Sequence, residues 1–263
     1  MISVYPGGER PFVHLSFISM LIPTLLLPLV GLIVCLFISI CFHFKESTYT
    51  HCQVANALPS ISAAISLTPQ RYIWRGCVGL HSAPRFLFSF MYFSLYQRRL
   101  QGALLRLLGL MVLLCSLMEN SGLLLLTYVA STENYELHKK GFIVFVLTSA
   151  LYMLLTVGLC YIIQRKYVSL TGHELKSYRW KLRLFLFNIS CCLAAAYFFR
   201  RHNQHCEPQV PVVLIYVMCP VYSLFALFEY LVVLSNMAFH STSCWDFTNT
   251  HLLVATPPEA KQY

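Results

Sequence analysis

The sequence predicts an all-α protein, a polytopic membrane helical bundle with about six transmembrane helices, each needing about 20 apolar residues. Hydrophobic residues make up 57% of the 263 residues and charged residues only 11%, whereas soluble domains carry about 25% charged residues. The mean hydropathy is +0.63. The net charge of +9 would indicate nucleic acid in a soluble protein, but here Lys and Arg collect in short loops beside apolar runs, as expected next to anionic lipid.

The first predicted span is 17–42, after a short polar lead at 1–16. Pro23 and Pro28 fall inside it and are tolerated, because neighbouring helices can satisfy the backbone groups that a proline frees. The run is too long for a cleaved signal peptide and too many similar runs follow it. We therefore interpret it as a retained span within a single transmembrane domain, 1–263.

The second predicted span, 71–96, is unusually polar and follows a polar loop at 43–70. It carries Arg75, His81 and Arg85, so hydropathy alone would miss it. A charged residue at membrane depth costs roughly 3 kcal/mol on insertion scales. The polar residues of this span therefore need partners on other helices.

Four further spans complete the prediction: 107–128, 141–163, 184–199 and 220–239. The last apolar run, 210–239, is too long for one upright crossing at about 1.5 Å per residue. Pro220 suits the first position of a helix, and the preceding PVVLIYVMC then either lies in the membrane interface or extends the helix at a tilt. The tail, 241–263, becomes polar towards its end.

Six spans place both termini on one side, and the basic residues predict that this side is the cytosol. Eleven basic residues lie on the side of the termini: Arg10, Arg98, Arg99, Arg106, Arg165, Lys166, Lys176, Arg179, Lys181, Arg183 and Lys261. Seven lie on the opposite side: Lys45, Arg71, Arg75, Lys139, Lys140, Arg200 and Arg201. The bias favours cytosolic tails at 1–16 and 241–263, since cytosolic loops carry the excess of Lys and Arg.

Ionisable residues inside the spans are the candidates for function: His81, Arg85, Glu119, Glu229 and His240. One interpretation is structural, with Arg85 pairing with a glutamate to lock the bundle. The other is functional, with these side chains lining a polar cavity for a lipid headgroup, since such residues are costly in the membrane. The sequence leaves both open, and under either one we expect the first four to form a single cluster facing the bundle interior.

Other kinds of site have little support in the sequence. No zinc-type Cys pair or HExxH spacing appears, so we expect no metal. No GxSxG elbow surrounds Ser82, although it follows His81. Most cysteines fall in apolar runs, but Cys52 and Cys206 fall in predicted non-cytosolic loops, where oxidation persists. They predict a disulfide, with two free thiols as the alternative.

Several ordered blocks resemble a known family. They include HFKESTYTHC, LPSISAAI, PQRYIWR, GLHSAPRFL, GFIVF, KSYRWKLRLF, RHNQHCE, FALFEYLVVLSNMAFH and WDF, with Glu119-Asn120 between them. These blocks are similar to members of the Frag/DRAM/Sfk family of multi-spanning membrane proteins that act on glycosylphosphatidylinositol (GPI) anchors. The chain departs from the family pattern near 208–219, where QVPVVLIYVMC indicates an insertion.

The resemblance implies a Golgi membrane protein, also present in the endoplasmic reticulum, that takes part in lipid remodelling of GPI-anchored proteins. The implied step is reacylation of the lyso-GPI intermediate with a saturated fatty chain, and the alternative is an adaptor that presents lyso-GPI lipid to a separate acyltransferase. Expected partners are GPI lipid, lyso-GPI-anchored proteins, membrane lipids and other GPI-remodelling proteins, without nucleic acid. We expect no cofactor, and the acyl donor is open. Under this interpretation the expected catalytic residues are His81, Glu119 and Glu229. The expected substrate-binding residues are Arg85, Asn120 and Arg75.

Overall fold

The computed structural model describes residues 13–50, 56–166, 172–205 and 212–254. Within these ranges the chain is all-α apart from one pair of short strands, which confirms the predicted fold class. The long helices are α1 (Phe17–Phe42), α4 (Gln70–Arg99), α5 (Ala103–Tyr128), α6 (Tyr135–Lys166), α7 (Gly172–His205) and α8 (Val212–Ser241). The short elements are β1 (Val13–Ser16), α2 (Phe44–Thr48), α3 (Ile61–Ala64), α9 (Ser243–Asp246) and β2 (His251–Val254).

The long helices pack mainly against their neighbours in the order α1, α4, α5, α6, α7 and α8. Among the described residues, five helices are long and apolar enough to cross a membrane: α1, α5, α6, α7 and α8. Helix α4 lacks the hydropathy but has 30 residues, about 45 Å at the usual rise. It lies between α1 and α5, and this packing covers the polar face that lowers its hydropathy.

The two strands join the beginning and the end of the described chain. β1 and β2 pair antiparallel, with Val13 opposite Val254 and Ser16 opposite His251, and the rings of His14 and His251 stack 4.7 Å apart. Paired strands must lie on the same side of a membrane, so the chain between them crosses an even number of times. The five apolar helices and α4 together give six crossings, in agreement with the predicted number.

The alternation of crossings defines two ends of the bundle. The strand end contains β1, β2 and the α4–α5 connection at 100–102, where Gly102 adopts φ +99°, a conformation that favours glycine. The loop end contains α2, α3 and the α5–α6 connection at 129–134.

Helix α1 matches the predicted 17–42. Helix α4 extends the predicted 71–96 by one residue at its start and three at its end, and α5 ends at the predicted residue 128 but begins four residues earlier. Helices α6 and α7 continue well beyond the predicted 141–163 and 184–199, because helices can extend past the hydrocarbon into polar flanks. Helix α8 begins at Val212 rather than at the predicted residue 220. Residues 212–219 therefore extend the last long helix, which was one of the two alternatives for the apolar residues before Pro220.

Two apolar clusters fill the bundle, one towards each end. The strand-end cluster includes Phe17, Leu21, Phe88, Tyr92, Val112, Cys115 and Phe239. The loop-end cluster includes Leu32, Cys35, Ile61, Ile65, Trp74, Val78, Ala226 and Tyr230. On α4 the interval between Val78 and Phe88 holds His81 and Arg85, so a polar layer separates the two clusters.

Helices α5 and α6 approach each other closely near the loop end. A Cβ atom added at Gly122 would lie 2.9 Å from the backbone nitrogen of Phe145, and one at Gly141 would lie 3.0 Å from that of Leu126. Small residues permit such contact between membrane helices. The end of α5 and the start of α6 are thereby held side by side.

The crossing pattern predicts the outcome of glycosylation mapping. An acceptor site carried on a polar linker in the 129–134 connection should be modified, and the same linker at 100–102 should not, because α5 crosses between them and the basic bias places 100–102 in the cytosol. Gel mobility with and without glycosidase measures this. Modification at both places would mean that α5 does not cross, and modification only at 100–102 would invert the orientation.

Candidate functional site

The polar layer is centred on a buried ion pair between α4 and α5. The guanidinium Nη2 of Arg85 lies 3.3 Å from Oε2 of Glu119. Arg85 is 6% exposed and Glu119 is 0% exposed. Either charge alone would be costly at this depth, so each side chain supplies the partner that the other requires.

The second carboxylate oxygen of Glu119 connects α5 to α6 and α8. Oε1 accepts a hydrogen bond from Nδ2 of Asn236 at 2.8 Å and lies 3.1 Å from Nε2 of His240. Nδ2 of Asn236 also lies 2.7 Å from Oγ of Ser149 on α6. The ring of His240 stacks on Tyr152 with centroids 5.1 Å apart. One carboxylate thus joins side chains from four helices.

His81 joins α1 to the same layer. Its Nδ1 lies 2.5 Å from the backbone oxygen of Thr24. A carbonyl oxygen can only accept, so Nδ1 carries the proton and Nε2 of the neutral ring keeps its lone pair. His81 is buried and precedes Arg85 by four residues, which places both on one face of α4.

Asn120, beside Glu119, bonds to the backbone of α4. Its Nδ2 donates to the carbonyl oxygen of Ser82 at 3.0 Å. Within the described part of the chain, its buried Oδ1 has no hydrogen-bond partner. The hydroxyl of Ser82 donates to the carbonyl of Val78 at 2.6 Å, so Ser82 acts as a helix-bonded serine.

Glu229 does not join this cluster, contrary to the expectation of a single four-residue group. Its Oε2 accepts a hydrogen bond from the backbone nitrogen of Ile61 at 2.9 Å. Glu229 precedes Asn236 by seven residues on α8, about 10 Å along the helix axis. Its buried carboxylate therefore belongs to the loop end, where it binds the first residue of α3.

Arg75 also lies at the loop end rather than in the polar layer. Its Nη2 lies 2.7 Å from Oε2 of Glu133 and donates to the carbonyl of Tyr128 at 2.8 Å. Nη1 of Arg71 lies 3.2 Å from Oε1 of the same glutamate. The backbone N–H of Ala130 and the Arg75 guanidinium both bond to Glu133 and lower the pKa of its carboxyl.

A second buried charge pair, at the strand end, was not anticipated. Nζ of Lys181 lies 2.5 Å from both Oδ2 of Asp246 and Oγ of Ser177, and Tyr92 donates to Asp246 at 2.6 Å. The sequence placed Lys181 in an exposed basic loop, but it is 1% exposed. The one feature of the sequence that could have indicated this pair is Asp246, an acidic residue beside a tryptophan after the last apolar run.

The polar layer is closed in this conformation. The cavity beside Arg85 and His240 has a volume of about 20 Å³, which is the size of one water molecule. It is lined by further polar side chains from Thr24, Ser89 and Ser116. The layer in this conformation has room for one water molecule and not for a lipid chain.

Cys52 and Cys206 lie outside the described residues, so their disulfide stays a prediction. Among the residues that the structure describes, no group of three His, Cys, Asp or Glu side chains could hold a metal ion.

Comparison with known proteins gives a consistent family. The chain matches the family model described as "Frag1/DRAM/Sfk1/Cwh43P N-terminal domain" over residues 16–250. It is 51% identical to "Acyltransferase PGAP2" of Danio rerio over 76% of this chain and 86% of that protein. It is 44% identical to the protein of the same name from Xenopus tropicalis, over 99% of this chain and 100% of that protein.

A relative from an insect is also similar to most of the chain. "Post-GPI attachment to proteins factor 2" of Drosophila melanogaster is 41% identical over 90% of this chain and 86% of that protein. No solved structure matches the chain. The family model covers most of the chain and three animal relatives cover more than three-quarters of it, so the chain belongs to the Frag1/DRAM/Sfk1 family.

Proposed function

We propose that this chain acts in GPI-anchor lipid remodelling, where it transfers a saturated fatty acyl chain to the lyso form of the anchor lipid. The observation that carries the proposal is the near full-length similarity to a relative named as an acyltransferase, at 44% identity over 99% of the chain. A relative named for post-GPI attachment, at 41% identity, supports the anchor as the target. The partners are then lyso-GPI-anchored proteins and membrane lipids.

Acyl transfer to a hydroxyl has three chemical requirements. A base must take the hydroxyl proton, hydrogen-bond donors must stabilise the developing oxyanion, and a cation must hold the anionic headgroup. Both lipid substrates reside in a bilayer, so a helical bundle with polar groups at membrane depth suits the reaction. Arg75 supports the third requirement, because its guanidinium lies at the loop end and is 21% exposed.

The catalytic assignment of His81, Glu119 and Glu229 stays a prediction, as does substrate binding by Arg85 and Asn120. The hydrogen bond to Thr24 leaves Nε2 of His81 unprotonated in the neutral ring, but the layer around it has no room for a lipid chain. The closed polar layer supports a different role for the ion pair, because the guanidinium of Arg85 lies against Glu119 and the same carboxylate accepts a hydrogen bond from Asn236. We expect this pair to lock the helices that position the reacting groups, without contacting substrate.

The location is part of the same proposal. We place the protein in the Golgi membrane and also in the endoplasmic reticulum, with both termini in the cytosol. The basic residues support this orientation, which puts the loop end in the lumen. Other GPI-remodelling proteins are then candidate partners in the same membrane.

Reconstitution distinguishes a transferase from an adaptor. Purified protein in liposomes, supplied with lyso-GPI lipid and a labelled acyl donor, should form diacyl GPI lipid that mass spectrometry detects. Thioester and phospholipid donors are supplied in separate reactions. Liposomes without protein are the control. An adaptor would give no product alone, and would give product only after a separate acyltransferase is added.

The locking role predicts the effect of Glu119→Gln. Removing one partner of a buried ion pair leaves the other uncompensated and costs about 3–5 kcal/mol, so the variant should lose thermal stability and cellular abundance. Glu136→Gln is the matched control, because Glu136 is exposed on α6. Thermal unfolding in detergent measures the change. A Glu119→Gln variant with normal stability and no transfer activity would instead support a direct catalytic role.

A further inference from the structure

A serine and a histidine meet at the loop end, far apart in sequence. Oγ of Ser62, on α3, lies 3.0 Å from Nε2 of His138, on α6. Nδ1 of His138 lies 2.7 Å from the backbone oxygen of Val129. The carbonyl can only accept, so Nδ1 carries the proton and Nε2 accepts from the serine hydroxyl.

This is the arrangement of an activated nucleophile: a hydroxyl within reach of a base, and a third group that orients the base. In the familiar triad a carboxylate orients the histidine, and here the carbonyl of Val129 occupies that place. A carbonyl fixes the tautomer but carries no full charge. The Ser62 hydroxyl is the one that the geometry activates, in contrast to Ser82, whose hydroxyl is bonded to its own helix.

The histidine is rigidly placed. His138 is 6% exposed, and its backbone nitrogen donates to the carbonyl of Asn134 at 3.0 Å. The close contact of α5 and α6 at Gly122 and Gly141 brings the carbonyl of Val129 beside its ring. The orienting bond therefore follows from the packing of two long helices.

The serine is placed by α8. The Glu229 carboxylate accepts from the nitrogen of Ile61 at 2.9 Å, and Tyr230 donates to the carbonyl of Pro59 at 3.1 Å. Oγ of Ser60 accepts from the nitrogen of Ala63 at 3.2 Å, which fixes the other side of Ser62. The buried carboxylate of Glu229 thus holds the backbone of Ile61, the residue before Ser62.

The surroundings suit an anionic lipid. Arg71 and Arg75 share the single carboxylate of Glu133, which leaves one positive charge in excess. Their side chains are 25% and 21% exposed. Arg75 bonds to the carbonyl of Tyr128, the residue before Val129, so the excess charge lies beside the serine–histidine pair. A lipid phosphate could bind there.

We propose that Ser62 is the nucleophile of the acyl transfer and that His138 is its general base. This inference rests on the proposed function and adds a covalent acyl-serine route to it. The acyl donor is of one chemical class, a fatty acyl ester or thioester, with the chain in the membrane and the carbonyl at the loop end. The orienting residue is Val129, through its backbone oxygen.

In the first step Oγ of Ser62 attacks the donor carbonyl and His138 Nε2 takes the hydroxyl proton. A carbon–oxygen bond forms to Ser62, the bond from the carbonyl carbon to the donor oxygen or sulfur breaks, and His138 returns the proton to that leaving group. In the second step the free hydroxyl of the lyso-lipid attacks the acyl-serine and His138 takes its proton. The new ester forms, the bond to Ser62 breaks, and Ser62 recovers the proton.

The first experiment uses the full-length protein in liposomes and a fluorophosphonate probe, which reacts with activated serines. Peptide mapping by mass spectrometry should find the probe on Ser62, with labelling lost in Ser62→Ala and in His138→Ala. Ser131→Ala is the matched control, because Ser131 lies at the same end in the 129–134 connection and should leave labelling unchanged. An unlabelled Ser62 in the wild-type protein overturns the proposal. The mapping of the wild-type protein decides this even where a variant fails to fold.

The second experiment measures transfer from thioester and phospholipid donors to lyso-GPI lipid. Ser62→Ala should fall to background and His138→Ala should fall by about 10²–10⁴-fold, with Ser131→Ala unchanged. Wild-type transfer that survives in Ser62→Ala overturns the nucleophile and leaves the proposed function intact. Labelling of Ser62 without product from either donor supports the nucleophile and overturns the proposed transfer. The donor that acylates Ser62 identifies the source of the chain.

Discussion

The constraint on which the bundle depends is the need to pair Arg85 inside a membrane. Charge at this depth is tolerated only beside a partner, and Glu119 on α5 is the partner that the structure supplies at 3.3 Å. The second oxygen of this carboxylate also needs hydrogen-bond partners, and Asn236 and His240 of α8 lie against it. The rotation of α4, α5 and α8 about their axes follows from this single group, and the apolar clusters on either side fill the space that remains.

A second buried carboxylate organises the loop end in the same way. Glu229 lies two turns from Asn236 on α8 and accepts from the backbone of α3, so the rotation that serves Glu119 also sets the position of the loop segment. Helix α8 thus transmits the geometry of the polar layer to Ser62. The closed polar layer and the Ser62–His138 pair therefore lie at different levels of the bundle.

Much of the fold could be predicted from the sequence, but little of the pairing. The bounds of α1 matched because length and hydropathy are local properties, and α4 was predicted as 71–96 although its polar residues lower its hydropathy. The β1–β2 pair was missed because four-residue strands more than 200 residues apart give no local signal. Asn236, Ser149 and the Ser62–His138 pair were missed for a related reason: which helix faces meet is decided by packing. A search for motifs such as GxSxG detects only residues that are close in sequence, whereas these residues are distant from one another in sequence.

The two ends of the bundle differ in how the ion pairs of their basic side chains are arranged. At the strand end, Lys181 is buried against Asp246, Ser177 and Tyr92, and Arg99 pairs with Glu174. These contacts match each of the two basic groups with its own carboxylate. At the loop end, Arg71 and Arg75 share one carboxylate and retain part of their exposure. The Ser62–His138 pair lies at the loop end as well, so the proposed nucleophile lies at the same end of the bundle as two arginines that share one carboxylate.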